Sequence, residues 1–110
     1  MKDDRFCNAH CPVTRAVGEI GNKWKPVIIN VIQEKTMRFG QLDAIIPHIT
    51  RKVLTDQLKE LEKDGILLRN AFKELPPRVE YSLTPKGLGL LPILKTMGDW
   101  SVAHAETSAE

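Results

Sequence analysis

Thr50-Arg51-Lys52-Val53-Leu54-Thr55-Asp56-Gln57-Leu58-Lys59-Glu60-Leu61-Glu62-Lys63-Asp64-Gly65 writes both ends of a helix into its own residues. A threonine at the start can accept from the first free backbone N–H groups, and a glycine at the end can take the left-handed conformation that closes the last turn. Between them Leu54, Leu58 and Leu61 recur at helical spacing and predict a buried stripe. At about 100° per residue, Lys52, Thr55, Asp56, Lys59 and Lys63 fall on the opposite side, flanked by Arg51 and Glu62. Arg, Lys and Thr in the first two turns of an exposed helix have the chemistry to read a DNA major groove. An ordinary solvated face has the same composition, so the neighbouring stretches decide.

Upstream, Thr36-Met37-Arg38-Phe39 reads as a short strand, and a helix is expected from about Gly40, acting as cap, with Leu42, Ile45 and Ile46 inward. Pro47 stops it. Only His48 and Ile49 then separate it from Thr50, so the two helices must meet at a sharp angle, as in a helix-turn-helix. Downstream, Leu67 to Lys73 has strand character, Glu74-Leu75-Pro76-Pro77 makes a stiff turn, and Arg78 to Leu83 alternates Val79, Tyr81 and Leu83 against Arg78, Glu80 and Ser82. A hairpin directly after a basic helix makes the unit a winged helix-turn-helix, mainly α with a small β-hairpin. Lys73 and Arg78 flank the prolines near the wing tip, where they can reach the backbone or the minor groove.

Toward the N-terminus, Pro12 suits a first helical position, and Val13, Ala16, Val17 and Ile20 follow at helical spacing. Gly21 and Asn22 break that helix. Pro26 suits the start of the next, whose Val27-Ile28-Ile29-Asn30-Val31-Ile32 is apolar around most of its axis and should be the buried centre. At the other end Thr84-Pro85 opens a last helix with Leu90, Ile93, Leu94, Met97 and Trp100 on one face, and Pro92 is expected to bend it near Leu88. A terminal helix of a small domain has little of its own to pack against, so this apolar face implies a partner chain. The expected organisation is an arm over 1–11, the winged domain over 12–103 and a fraying tail over 104–110.

The 110 residues make one domain, 42% apolar, with a formal charge of +2 that identifies no partner by itself. The charges are unevenly placed: Lys35 to Lys86 holds ten Lys or Arg against seven acidic residues, while Gly87 to Glu110 holds one against three. No apolar run approaches a membrane span and the first residues lack the apolar core of a signal peptide, so no membrane partner and a cytoplasmic location are expected. Cys7 and Cys11 are too few and too close for a secreted disulfide framework. With His10 they form the only local ligand cluster, at a spacing that matches no standard zinc pattern, so neither metal nor cofactor is expected. His48 reads as a turn residue. No phosphate loop, nucleophile elbow or catalytic constellation is visible, which argues against an enzyme. Cys11 precedes a helix-starting proline, where the helix dipole lowers a thiol pKa, and Arg15 one turn on adds positive potential.

Taken together, Cys11-Pro12-Val13, Gly21-Asn22-Lys23-Trp24, Arg38-Phe39, Lys52-Val53-Leu54-Thr55, Leu61 to Gly65 and Pro76 to Gly87 closely resemble the HxlR-type transcriptional regulators, over about Cys11 to Trp100. The Pro-Pro-Arg-Val-Glu-Tyr-Ser-Leu-Thr-Pro run is the specific part; the leucine spacing is common to any winged helix. The chain departs in Asn22, where a second Gly is usual, and in Gly40, where Ser often caps the third helix. The resemblance implies a homodimeric, MarR-like winged helix that binds a double-stranded DNA operator, with its first and last helices forming the dimer interface. Val13, Val17, Leu90, Leu94, Met97 and Trp100 would line that interface. Arg51, Lys52, Thr55 and Lys59 would face the groove, Thr50 would cap and touch phosphate, and Lys73 and Arg78 would carry the wing contact. Several members of that family sense oxidants or electrophiles through a cysteine at the position of Cys11, for which Cys7 is a candidate partner. The rival reading is a winged helix used for protein contact without specific DNA binding, kept open by Asp56, Glu60 and Glu62 on the central helix.

Overall fold

A computed structural model describes residues 10–105. Its elements run α1 (Pro12–Ile20), α2 (Trp24–Ile32), β1 (Met37–Arg38), α3 (Phe39–Ile45), α4 (Arg51–Lys63), β2 (Leu67–Phe72), β3 (Arg78–Leu83), α5 (Pro85–Leu88) and α6 (Leu91–Ala103). Helix α4 begins and ends where its residues dictate. Thr50 Oγ1 accepts the Val53 N–H at 3.1 Å. At the other end Gly65 adopts φ 76°, its N–H donates to the Glu62 carbonyl at 3.0 Å, and the Ile66 N–H donates to that of Leu61 at 2.9 Å. That pair of bonds, with Leu61 and Ile66 both buried, is a Schellman closure.

The remaining carbonyls at this end are satisfied from across the fold. The Thr84 hydroxyl donates to the Gly65 carbonyl at 2.6 Å and the Lys86 ammonium to that of Asp64 at 2.8 Å. Such close approach needs Gly87, because a Cβ there would stand 2.4 Å from the Ile66 carbonyl oxygen. Thr84 also accepts the Gly87 N–H at 3.1 Å, so one hydroxyl caps α5 and secures the end of α4.

Leu54, Leu58 and Leu61 bury completely or nearly so, in one core with Ile28, Ile29 and Ile32 of α2, Leu42 of α3, and Leu67, Tyr81 and Leu83 of the sheet. Each such side chain contributes about 1.5–3 kcal/mol of burial. The sheet is antiparallel in the order β1-β3-β2, with Leu67 opposite Leu83, Arg69 opposite Tyr81, and Met37 opposite Tyr81 on the other edge. Alternation puts Leu67, Arg69 and Ala71 on the face toward the core and α4, and Phe72 with its partner Arg78 on the other.

Three local expectations are corrected. Helix α3 starts at Phe39, one residue early, because the Gln41 side chain reaches back to accept the Arg38 N–H at 2.8 Å; Gly40 lies inside the helix and caps nothing, and Ile45 points outward. Helix α2 starts at Trp24, so Pro26 is its third residue; Asn22 is no mere breaker, since its Oδ1 accepts the N–H groups of Trp24 and Lys25, both at 2.9 Å. The C-terminal helix is interrupted rather than bent. Pro92 cannot donate to the Leu88 carbonyl, so α5 ends there and α6 restarts with Pro92 in its first turn.

One buried charge was not foreseen. Lys25 of α2 is 5% exposed, and its Nζ lies 2.7 Å from Glu60 Oε1 on α4. Asn22 Nδ2 donates to Gln57 Oε1 at 2.8 Å one turn earlier on the same helix. Removing only the carboxylate leaves an uncompensated buried ammonium, whereas replacing the lysine by an apolar residue of similar length does not. Glu60→Ala should therefore destabilise the chain by about 1–3 kcal/mol in urea unfolding, and Lys25→Met by clearly less. The reverse order would contradict this assignment.

Candidate nucleic-acid interface

With its leucine side locked in the core, α4 presents Arg51, Lys52, Thr55, Asp56 and Lys59 away from α2. Arg51 and Lys52 are wide open, with side chains 82% and 86% exposed. Arg51 Nε donates to Asp43 Oδ2 of α3 at 3.2 Å, and Lys52 Nζ to Asp56 Oδ2 one turn on at 2.9 Å. The Asp56 carboxylate, by hydrogen bond first and then by charge, raises the Lys52 pKa. Exposed pairs of this kind are screened by solvent and hold weakly, so a phosphate or a base edge can displace either carboxylate cheaply.

The wing residues part company. Lys73 is exposed at the end of the hairpin. Arg78 is folded onto the face turned from α4: its guanidinium lies 4.2 Å from the Phe72 ring centroid and 3.2 Å from Glu74 Oε1. Its Nε stands 3.5 Å from Glu80 Oε2, a charge contact rather than a hydrogen bond, and the side chain is only 28% exposed. Glu80 is shared with Arg38 of β1 at 4.0 Å. A contact from Arg78 to anything outside the chain competes with these partners.

One residue that sequence reasoning passed over, Arg69, belongs to this surface. A cleft of about 350 Å³ between α4 and the sheet is lined by Thr55, Lys59, Glu62, Arg69 and Tyr81. Arg69 also borders a groove of about 660 Å³ at the wing tip, shared with Lys73, Glu74, Leu75 and Arg78. The signal for Arg69 was present in the strand alternation, since it stands two residues after the buried Leu67.

The terminal helices form the other exposed surface. Neither α1 nor α6 buries a residue fully. Leu90 and Leu94 pack against the core, whereas Val13, Val17, Met97 and Trp100 are open, Trp100 at 67% exposure. The radius of gyration, 16.4 Å, exceeds the roughly 13 Å of a compact chain of this size. His104, expected at the start of the tail, folds back on Trp100, with Nδ1 2.9 Å from its carbonyl oxygen and ring centroids 5.1 Å apart.

Cys11 occupies the N-cap position of α1. Its thiol pKa is lowered, first by the backbone N–H of Thr14, then by that of Val13, with smaller help from the Thr14 hydroxyl and Arg15. Cys7, and the rest of the expected arm and tail at 1–9 and 106–110, lie outside the described residues. No helix among the described residues is long and apolar enough to cross a membrane.

A sharp helix pair whose second member is held at both ends, followed by a hairpin, is a winged helix-turn-helix. A family model for HxlR-like helix-turn-helix proteins matches residues 19–109. An uncharacterized helix-turn-helix-type transcriptional regulator from Methanothermobacter thermautotrophicus is 41% identical over all of this chain and 84% of its own length. Among solved structures, the redox regulator HypR in its reduced form superposes with a TM-score of 0.84 at 39% identity, covering 89% of this chain and 97% of that one. A Porphyromonas gingivalis W83 protein assigned to the MarR family of transcriptional regulators gives 0.83 at 38%, covering 86% and 93%. The chain belongs to the HxlR-like helix-turn-helix family of transcriptional regulators.

The lowered Cys11 pKa places more of its reactive thiolate at a given pH. In a Cys7→Ser protein, the pH midpoint for iodoacetamide alkylation of Cys11 should fall below that of the same thiol in the urea-unfolded chain. An equal or higher midpoint would refute the N-cap account.

Proposed function

We propose that this regulator acts as a homodimer on a pseudo-palindromic operator, with the two α4 helices entering successive major grooves about 34 Å apart. The observation that carries the reading is the division of α4 itself: one side is locked in the core by three leucines, and the other offers Arg51, Lys52 and Thr55 in its first turns. Thr50, Arg51, Lys52, Thr55 and Lys59 meet bases and phosphates. Lys73 carries the wing contact, joined by Arg78 where the DNA releases it from Glu74 and Glu80. The apolar faces of α1 and α6, open at Val13, Val17, Met97 and Trp100, pair across the two-fold axis, and 12–103 is the unit that folds and pairs.

Cys11 is the point at which oxidants or electrophiles act on this assembly, with Cys7 as a candidate disulfide partner. Support comes from its lowered pKa, from its place at the start of a helix of the dimer face, and from the likeness to a redox regulator. Its modification would displace α1, whose Glu19 reaches Lys86 at 3.0 Å, and Lys86 in turn holds the end of α4.

Binding to DNA from the chain's own upstream region should be tight and salt-sensitive. Lys52→Ala should make the salt dependence shallower, by about 0.9 in log–log slope for each phosphate it ceases to neutralise. Mild oxidation should change the affinity of the natural chain but not of a Cys11→Ser, Cys7→Ser protein. Binding that is insensitive to salt, or no better than to unrelated DNA after selection from random sequence, would contradict the operator reading. In sedimentation the natural chain should be a dimer and Trp100→Glu a folded monomer; a monomeric natural chain would remove the two-fold arrangement.

A further inference from the structure

The cations around α4 and the wing fall into two groups by what already holds them. Arg51, Lys52 and Arg78 each rest on a carboxylate of the same chain. The side chains of Lys59, Lys63, Arg69 and Lys73 have neither a hydrogen bond nor an ion pair among the described residues. Three of the second group, all but Lys63, are continuous in space. Lys59 lies on α4; Arg69 lines the same cleft from the facing side of β2; and the groove that Arg69 also borders leads on to Lys73. Glu62 edges the cleft yet pairs with neither cation among the described residues.

Like charges gathered on a helix, a strand and a wing repel one another unless something from outside neutralises them. The cleft lies between the helix that would enter a major groove and the hairpin beside it, which is where a strand of phosphates bordering that groove would run. A guanidinium suits this place, because its fork of donors can bind one phosphate through two parallel bonds.

The geometry points to Arg69 as a phosphate-backbone contact, the middle of a track of Lys59, Arg69 and Lys73 that grips one DNA strand between α4 and the wing. This assignment rests on the DNA-binding reading above. Arg78 borders the same groove as Arg69 and Lys73 but is held by Glu74, Glu80 and the Phe72 ring, so it joins the track only where DNA displaces those partners.

The test uses the full chain on a fluorescent random-sequence duplex of about 30 base pairs, titrated between about 50 and 200 mM salt, because a phosphate contact needs no operator. Arg69→Gln should lower the log–log slope by about 0.9 per phosphate left unneutralised, twice that for a two-fold dimer. Arg69→Lys, which keeps the charge, should restore most of it, and both variants should unfold in urea at the natural midpoint. An unchanged slope for Arg69→Gln, with the natural chain binding normally, would overturn the assignment and leave DNA binding standing. A slope for Arg69→Lys as shallow as for Arg69→Gln would also overturn it, by giving Arg69 a structural role. Absence of salt-sensitive binding by the natural chain would remove the DNA reading, and the track with it.

Discussion

Burial of Leu54, Leu58 and Leu61 against the isoleucines of α2 sets the rotation of α4 about its own axis, and every outward-facing group on that helix takes its place from it. Rotating α4 by one residue would drive Thr55 and Lys59 into a core of aliphatic side chains. A lone hydroxyl there costs about 1–3 kcal/mol and an unpaired ammonium more. The helix therefore has one stable setting, with Arg51 and Lys52 open to solvent and their carboxylate partners beside them.

Rotation alone does not hold a helix still along its length, and both ends of α4 are tied to other elements. The start is tied to α3 by Arg51 and Asp43, and from the middle onward Gln57 and Glu60 meet Asn22 and Lys25 at the beginning of α2. At its end, the carbonyls of Asp64 and Gly65 are taken by Lys86 and Thr84. Lys86 also meets Glu19, so the same ammonium joins α1 to the end of α4. The segment that carries Cys11 and the segment that carries the outward cations are thus linked through polar contacts at 2.7–3.0 Å.

Much of this was legible in the chain, because the physics involved is local. A cap is read from one residue and its place before an apolar period, so Thr50, Gly65 and Thr84 were visible, as were the hairpin alternation and the turn at His48, though not its left-handed φ of 67°. What was missed depends on partners distant in sequence. Nothing near Lys25 announces Glu60, and nothing near Asn22 announces that it caps α2 while holding Gln57. Arg78 stood out as a wing cation, but its engagement by Glu74, Glu80 and Phe72 follows only from the hairpin register. Pro92 by itself implies a bend near Leu88; instead the chain tightens through Gly89 and Leu90 and restarts, with Leu90, Leu91 and Leu94 packed against the core.

The two-fold placement of α4 in successive grooves is tested most directly by hydroxyl-radical footprinting on an operator selected from random DNA. The account predicts two protected patches related by a dyad, their centres about 10 base pairs apart or a whole multiple of it, with Trp100→Glu weakening both together. A single patch confined to one groove, protected equally by Trp100→Glu at the same concentration, would contradict it.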